Sequence, residues 1–263
     1  MTLLKDGSVD TPLGQISYGE YGEGPDRVFL HSLLTDRNAF DKVAEAIGGR
    51  LIAVDLPGFG SSAPAPASID EYSHRVAALI EAMGLDDDLT LIGNGLGAFV
   101  ALGTAINHGD SIGKLLLVGC GAGFPETGRT AFTNMSGAVR EGGMEAVIPI
   151  ALRRIFSESY LAEHPDVVEE RAAVLRRTDV EAFVTACTAL GALDYTDRAS
   201  SVTNPTLIVA GEDDQATPPQ LAEDLHRLIG GSTLVRLHGV AHAPQMQDPE
   251  GFVNATRQFL EDR

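Results

Sequence analysis

Leu89-Thr90-Leu91-Ile92-Gly93-Asn94-Gly95-Leu96-Gly97-Ala98-Phe99-Val100-Ala101 is the stretch on which the reading of this chain turns. Leu89 to Ile92 is a short apolar run, the pattern of a buried strand. Glycines follow at alternate positions, 93, 95 and 97, and then Leu96, Phe99, Val100 and Gly103 repeat at helical spacing with alanines between them. A strand, a tight glycine turn and a helix form the local context in which G-x-S-x-G exposes a nucleophile. Gly93 and Gly97 occupy the two glycine positions of that frame, where strand and helix meet too sharply for side chains. The middle position holds Gly95, so the frame stands without its attacking atom. A phosphate cradle is a weaker reading. G-x-G-x-G matches neither the P-loop nor the G-x-G-x-x-G dinucleotide pattern, and the stretch comes after earlier strands rather than after the first.

Outward from this stretch, strands and helices alternate. Gln15–Gly22 alternates as a half-exposed strand does, and Arg27–His31, Leu51–Asp55, Lys114–Gly119 and Pro205–Gly211 read as buried strands. Thr233–Leu237 closes the set. Helices are expected at Asn38–Ile47 and at Ser68–Met83, the latter with Ser68 and Glu71 as a capping box and Gly84 as its stop. Further helices are expected at Pro219–Ile229 and Pro249–Leu260. Residues 123–201 change character: Ala138–Gly142, Met144–Phe156, Pro165–Arg176 and Glu181–Leu190 are helical, with no strand run among them. The expected organisation is an α/β core of residues 1–122 and 202–263, with residues 123–201 inserted as a helical lid. Alternating strands and helices imply a mostly parallel sheet whose sites lie at the C-terminal strand ends.

Composition narrows the function classes. The chain has 263 residues, 44% of them hydrophobic, and a formal net charge of −18. Such acidity argues against nucleic acid and anionic membrane surfaces as partners. Asp86-Asp87-Asp88, the one tight acidic run, reads as a solvated loop. Two distant cysteines, Cys120 and Cys187, suggest neither a disulfide framework nor a zinc site. The start, Met1-Thr2-Leu3-Leu4-Lys5-Asp6, is no signal peptide, and no apolar run reaches spanning length. A soluble cytoplasmic protein is the expectation.

Three segments fall at expected C-terminal strand ends: Gly93–Gly97, Gly211-Glu212-Asp213-Asp214 and Gly239-Val240-Ala241-His242. Their order is nucleophile position, acid, base. Acyl transfer needs a base within hydrogen-bond reach of the nucleophile and a carboxylate that fixes the base's tautomer. His242 and Asp214 fill those roles, with Asp213 as the adjacent alternative acid.

With His31-Ser32 and Asp55-Leu56-Pro57-Gly58-Phe59-Gly60-Ser61-Ser62 added, these segments resemble the α/β-hydrolase fold family along essentially the whole chain. Arg140–Met144, Arg153–Phe156, Ala186–Leu190, Asp194–Asp197 and the Ala216-Thr217-Pro218-Pro219 turn look most like bacterial 3-oxoadipate enol-lactonases. The resemblance implies Asp214 as acid, His242 as base, and the N–H groups of Leu33 and Leu96 as the oxyanion hole. It implies no metal or organic cofactor and a small-molecule ester or lactone as substrate. Two positions depart from the family pattern: His31-Ser32 stands for the commoner His-Gly, and Gly95 for serine.

Glycine cannot attack a carbonyl, so the expectation is a lactone or ester hydrolase site inactivated at position 95. The alternative is a non-hydrolytic relative, a small-ligand binder or a lyase using the His242–Asp214 pair. Arg154 could hold a substrate carboxylate by bidentate contact; its plainer reading is a solvated arginine. Cys120 and Cys187 read as packing residues, and His31 as polar filler at a strand end.

Overall fold

The apolar runs pair into one eight-stranded sheet, described by a computed structural model covering residues 3–85 and 87–262. Its strands are β1 (Leu3–Thr11), β2 (Gly14–Tyr21), β3 (Asp26–Leu30), β4 (Arg50–Val54), β5 (Thr90–Asn94), β6 (Lys114–Val118), β7 (Thr206–Gly211) and β8 (Thr233–Leu237). The order across the sheet is β1-β2-β4-β3-β5-β6-β7-β8. β2 pairs antiparallel with β1 and β4; from β4 to β8 all pairs are parallel. β3, β5 and β7 are buried along their whole length, as parallel strands covered by helices on both faces must be.

The helices are α1 (Asp41–Ile47), α2 (Ile69–Met83), α3 (Leu96–His108), α4 (Glu126–Gly142), α5 (Ile148–Ile155), α6 (Glu158–Glu163), α7 (Pro165–Arg176), α8 (Val180–Ala192), α9 (Pro219–Leu228), α10 (Pro244–Gln247) and α11 (Pro249–Glu261). The helices α4 to α8 all fall between β6 and β7. A single antiparallel bridge, Gly123 to Asp194, closes the base of this inserted segment. The Tyr195 hydroxyl then donates to Asp70 of α2 at 2.9 Å, tying the returning chain to the core.

Four expectations need correction. β1 was not anticipated: most of its residues are exposed, and Asp6, Gly7 and Asp10 mask the pattern of an edge strand. Ser68 does sit at the N-cap of α2, but its side chain makes no capping hydrogen bond, so the capping box does not form. Gly84, left-handed at φ 60°, does end the helix. α4 begins at Glu126, twelve residues before the expected Ala138. Gly128 and Gly137 depress its helix propensity, yet Phe132, Met135, Ser136 and Val139 are buried at helical spacing and the helix packs along α8. The turn before α1 is 3₁₀ at Arg37–Phe40 rather than α-helical. Asp86 of the acidic run, and Met1 and Thr2 of the leader reading, lie outside the described residues. Among the described residues no helix is long and apolar enough to cross a membrane.

Candidate active site

The glycine frame does what its spacing requires. β5 ends at Asn94, the chain turns at Gly95 with φ 54° and ψ −117°, and α3 starts at Leu96. A Cβ on Gly93 would run into the Gly97 carbonyl, and one on Gly97 into the Leu30 carbonyl. The turn is pinned from both sides, by Gly95 N–H donating to Val118 O at 2.9 Å and Gly97 N–H to His31 O at 3.0 Å.

Asp214 lies three residues beyond β7 and is buried. One carboxylate oxygen accepts the backbone N–H groups of Ala216, at 2.7 Å, and Thr217, at 2.8 Å. The other faces His242 Nδ1 at 2.8 Å. Asp213 is exposed, with its backbone N–H bonded to Val240 O; of the two candidate acids, Asp214 meets the imidazole. Since the carboxylate accepts, Nδ1 carries the proton and Nε2 presents its lone pair. That nitrogen lies 3.2 Å from Ser32 Oγ.

Other residues hold the base in place without any signal in the linear sequence. Asn94 Nδ2 donates to the His242 carbonyl at 2.8 Å, and Gln245 Nε2 donates to Asn94 Oδ1 at 3.1 Å. Gly119, just past β6, has φ 59°; a Cβ there would stand 2.8 Å from His242 Nδ1 and 3.2 Å from Asp214 Oδ2. Only glycine both adopts that backbone and leaves room for the pair.

His31 is a brace. Its Nδ1–H donates to Ser32 O at 2.8 Å and its Nε2 accepts Leu56 N–H at 3.1 Å, joining the ends of β3 and β4. Burial pushes its pKa down, so the ring stays neutral, as this pair of bonds demands.

Leu33 and Leu96 border the same small cavity as Ser32, Gly95 and His242. Leu96 opens α3, where a backbone N–H has no intrahelical partner. Among the described residues, Leu33 N–H has no hydrogen-bond acceptor either. The opposite wall comes from the inserted helices: Phe132 and Met135 of α4, Arg154 of α5 and Leu190 of α8. The space among these side chains is narrow, about 30 Å³, and partly open to the surface.

Arg154 turns inward and is half-buried. Burial lowers its pKa, and the nearby Asp214 charge works against that shift. Among the described residues it forms no ion pair. Cys120 and Cys187 are buried with burial pushing both thiols up, Cys187 to about 12, so neither offers a thiolate. Two larger clefts, of about 540 and 1470 Å³, open elsewhere on the surface; neither contains His242 or Asp214.

Residues 28–255 match the model of the alpha/beta hydrolase family. The chain belongs to this family. Among relatives with assigned activities, a pimeloyl-[acyl-carrier protein] methyl ester esterase of Neisseria meningitidis is 30% identical over 248 residues, covering 88% of this chain and 92% of that protein. A 3-oxoadipate enol-lactonase of Acinetobacter baylyi is 23% identical over 251 residues, covering 93% and 92%. The enol-lactonase of Burkholderia xenovorans LB400 superposes with a TM-score of 0.91 at 23% identity, over 97% of this chain and 100% of that one. These likenesses fit the hydrolase resemblance legible in the motifs, and in this alpha/beta hydrolase His242, Leu33 and Leu96 border one cavity, with Asp214 bonded to the imidazole.

Proposed function

We propose that this chain hydrolyses a small carboxylic ester or lactone whose acyl portion carries a second, anionic group. The observation that carries the reading is the buried relay from Asp214 through His242 to a hydroxyl, 2.8 Å and then 3.2 Å, beside the N–H groups of Leu33 and Leu96. His242 is the base, Asp214 orients it, and the two N–H groups receive the oxyanion. Each such donor typically lowers the barrier by about 3 kcal/mol. Position 95 supplies no attacking atom, so acyl transfer does not run through it.

Arg154 supports the anionic group. A guanidinium drawn partly out of water, with no carboxylate partner among the described residues, matches a ligand carboxylate bidentately. The apolar remainder of the wall, with Phe132, Met135 and Leu190, suits a short carbon skeleton. The α4–α8 segment then acts as a lid, since its helices supply the wall that faces His242 across this narrow cavity.

A panel of small lactones and p-nitrophenyl esters, each with and without a second carboxylate, tests the reading. The expected result is turnover that favours the carboxylate-bearing members. Saturable binding of such compounds with no turnover, by this chain and by Gly95→Ser alike, would favour a binder and overturn it.

A further inference from the structure

We propose that Ser32 is the nucleophile of this chain, a role displaced from position 95 to the neighbouring strand end; the proposal rests on the hydrolase reading above. The register of the sheet carries it. β3 and β5 pair in parallel with Leu30 opposite Gly93. Two residues further, Ser32 comes level with Gly95, and Leu33 with Leu96. Each strand end therefore presents one position beside His242, followed by a leucine that borders the cavity. Moving the nucleophile from one end to the other leaves both oxyanion donors in use.

The side chains agree with the register. Ser32 Oγ is 3.2 Å from His242 Nε2, the nitrogen left as acceptor once Nδ1 bonds Asp214. Among the described residues His242 Nε2 is the one partner of this hydroxyl, and the backbone of the turn is satisfied separately: Ser32 N–H donates to Thr35 Oγ1 at 3.0 Å, and Ser32 O accepts from His31 Nδ1 and Thr35 N. The turn is rigid and the hydroxyl is spare. A Cβ built on Gly95 would stand 2.5 Å from Ser32 Oγ and 2.5 Å from His242 Nε2. The serine oxygen and the imidazole thus fill the space that a side chain at 95 needs, and Gly95 is what lets them meet.

The chemistry balances without a further reactant. Ser32 Oγ attacks the acyl carbon while His242 Nε2 takes its proton, and the oxyanion rests on Leu33 and Leu96 N–H. The acyl C–O bond breaks and His242 gives the proton to the departing alkoxide oxygen, which in a lactone stays tethered to the acyl group. Water then attacks the acyl-Ser32 ester with His242 as base, releasing the acid and restoring the serine.

The test uses the native chain and a fluorophosphonate probe, with intact mass measured before and after. The expected result is one added phosphonyl group, located by peptide mapping on Ser32, and its loss in Ser32→Ala together with ester turnover lower by about 10²–10⁴-fold. Mapping on the native chain needs no folded variant, so a misfolded Ser32→Ala leaves the test standing. Label on another residue, or full turnover in a folded Ser32→Ala, overturns the assignment and leaves the hydrolase reading intact. No label and no turnover in the native chain, with turnover restored in Gly95→Ser, Ser32→Gly, also overturns the assignment alone. No label and no turnover in any of these proteins overturns both.

Discussion

The ends of β3 and β5 lie side by side and divide between them what a single turn usually carries. The β5 end is all frame: Gly93 and Gly97 exist to let strand and helix touch, and Gly95 contributes backbone and space. The β3 end is all side chain: His31 braces it to Leu56, Thr35 closes it, and Ser32 points at the base. One teaches where the backbone cannot tolerate an atom. The other teaches that the hydroxyl's address is set by strand register and not by the motif beside it.

The comparison breaks first on stability. Gly97→Ala forces a methyl into the Leu30 carbonyl, and we expect a loss of about 4 kcal/mol or more, or no soluble protein. Ser32→Ala should melt within a few degrees of the parent by calorimetry. A Gly97→Ala protein as stable as the parent would remove the structural half of the contrast.

Catalysis comes next. His242→Ala should lower turnover by about 10²–10⁴-fold. The loss should fall on kcat, because without the imidazole no group takes the proton from Ser32. A variant that keeps the parent's rate points to a different base.

The two strand ends can also be set against each other. Gly95→Ser alone crowds Ser32 Oγ and His242 Nε2, so the hydroxyl is not simply missing from position 95, as the sequence suggests; its place is occupied. Gly95→Ser combined with Ser32→Gly clears it, and should exceed Gly95→Ser by about tenfold in kcat/KM, about 1.4 kcal/mol. Equal rates would mean that Ser32 yields freely and is not held against the base.

Arg154→Gln should raise KM about tenfold for esters bearing a second carboxylate and leave neutral esters unchanged. An equal effect on both substrates would make Arg154 a packing residue.

The smallest effect belongs to His31. Its folded pKa is depressed by burial, so its contribution is fully present above the unfolded value of about 6.5 and is lost as pH falls from there toward the folded one. Asp55, raised by burial, acts with the opposite sign toward its own lower range. The comparison is therefore between parent and His31→Leu: the Tm drop from pH 7 to 5 should be larger in the parent by about 2–4 °C. Identical drops would mean that His31 titrates as it does unfolded.

Most of the architecture was legible because buried parallel strands leave continuous apolar runs, as β3 to β7 do, while β2 shows itself by alternation. β1 did not, since an exposed edge strand has no apolar face to declare. Asp214 and His242 were legible from their places just past β7 and β8. Asp214 was the sequence's acid with Asp213 as the adjacent alternative, and burial against His242 separates the two. Gly119, Asn94 and Gln245 act by yielding space or by holding backbone, and such roles leave no residue-type signature. Ser32 was visible as a departure from His-Gly, but its contact with a residue 210 positions away depends on register, which strands do not carry in their composition.

The wall that α4, α5 and α8 lend to the His242 cavity also bears on the order of events in time. On the lid reading these helices part before a ligand is captured. In a rapid-mixing experiment the observed association rate should then level off as ligand concentration rises, and the plateau is the frequency at which the inserted helices part.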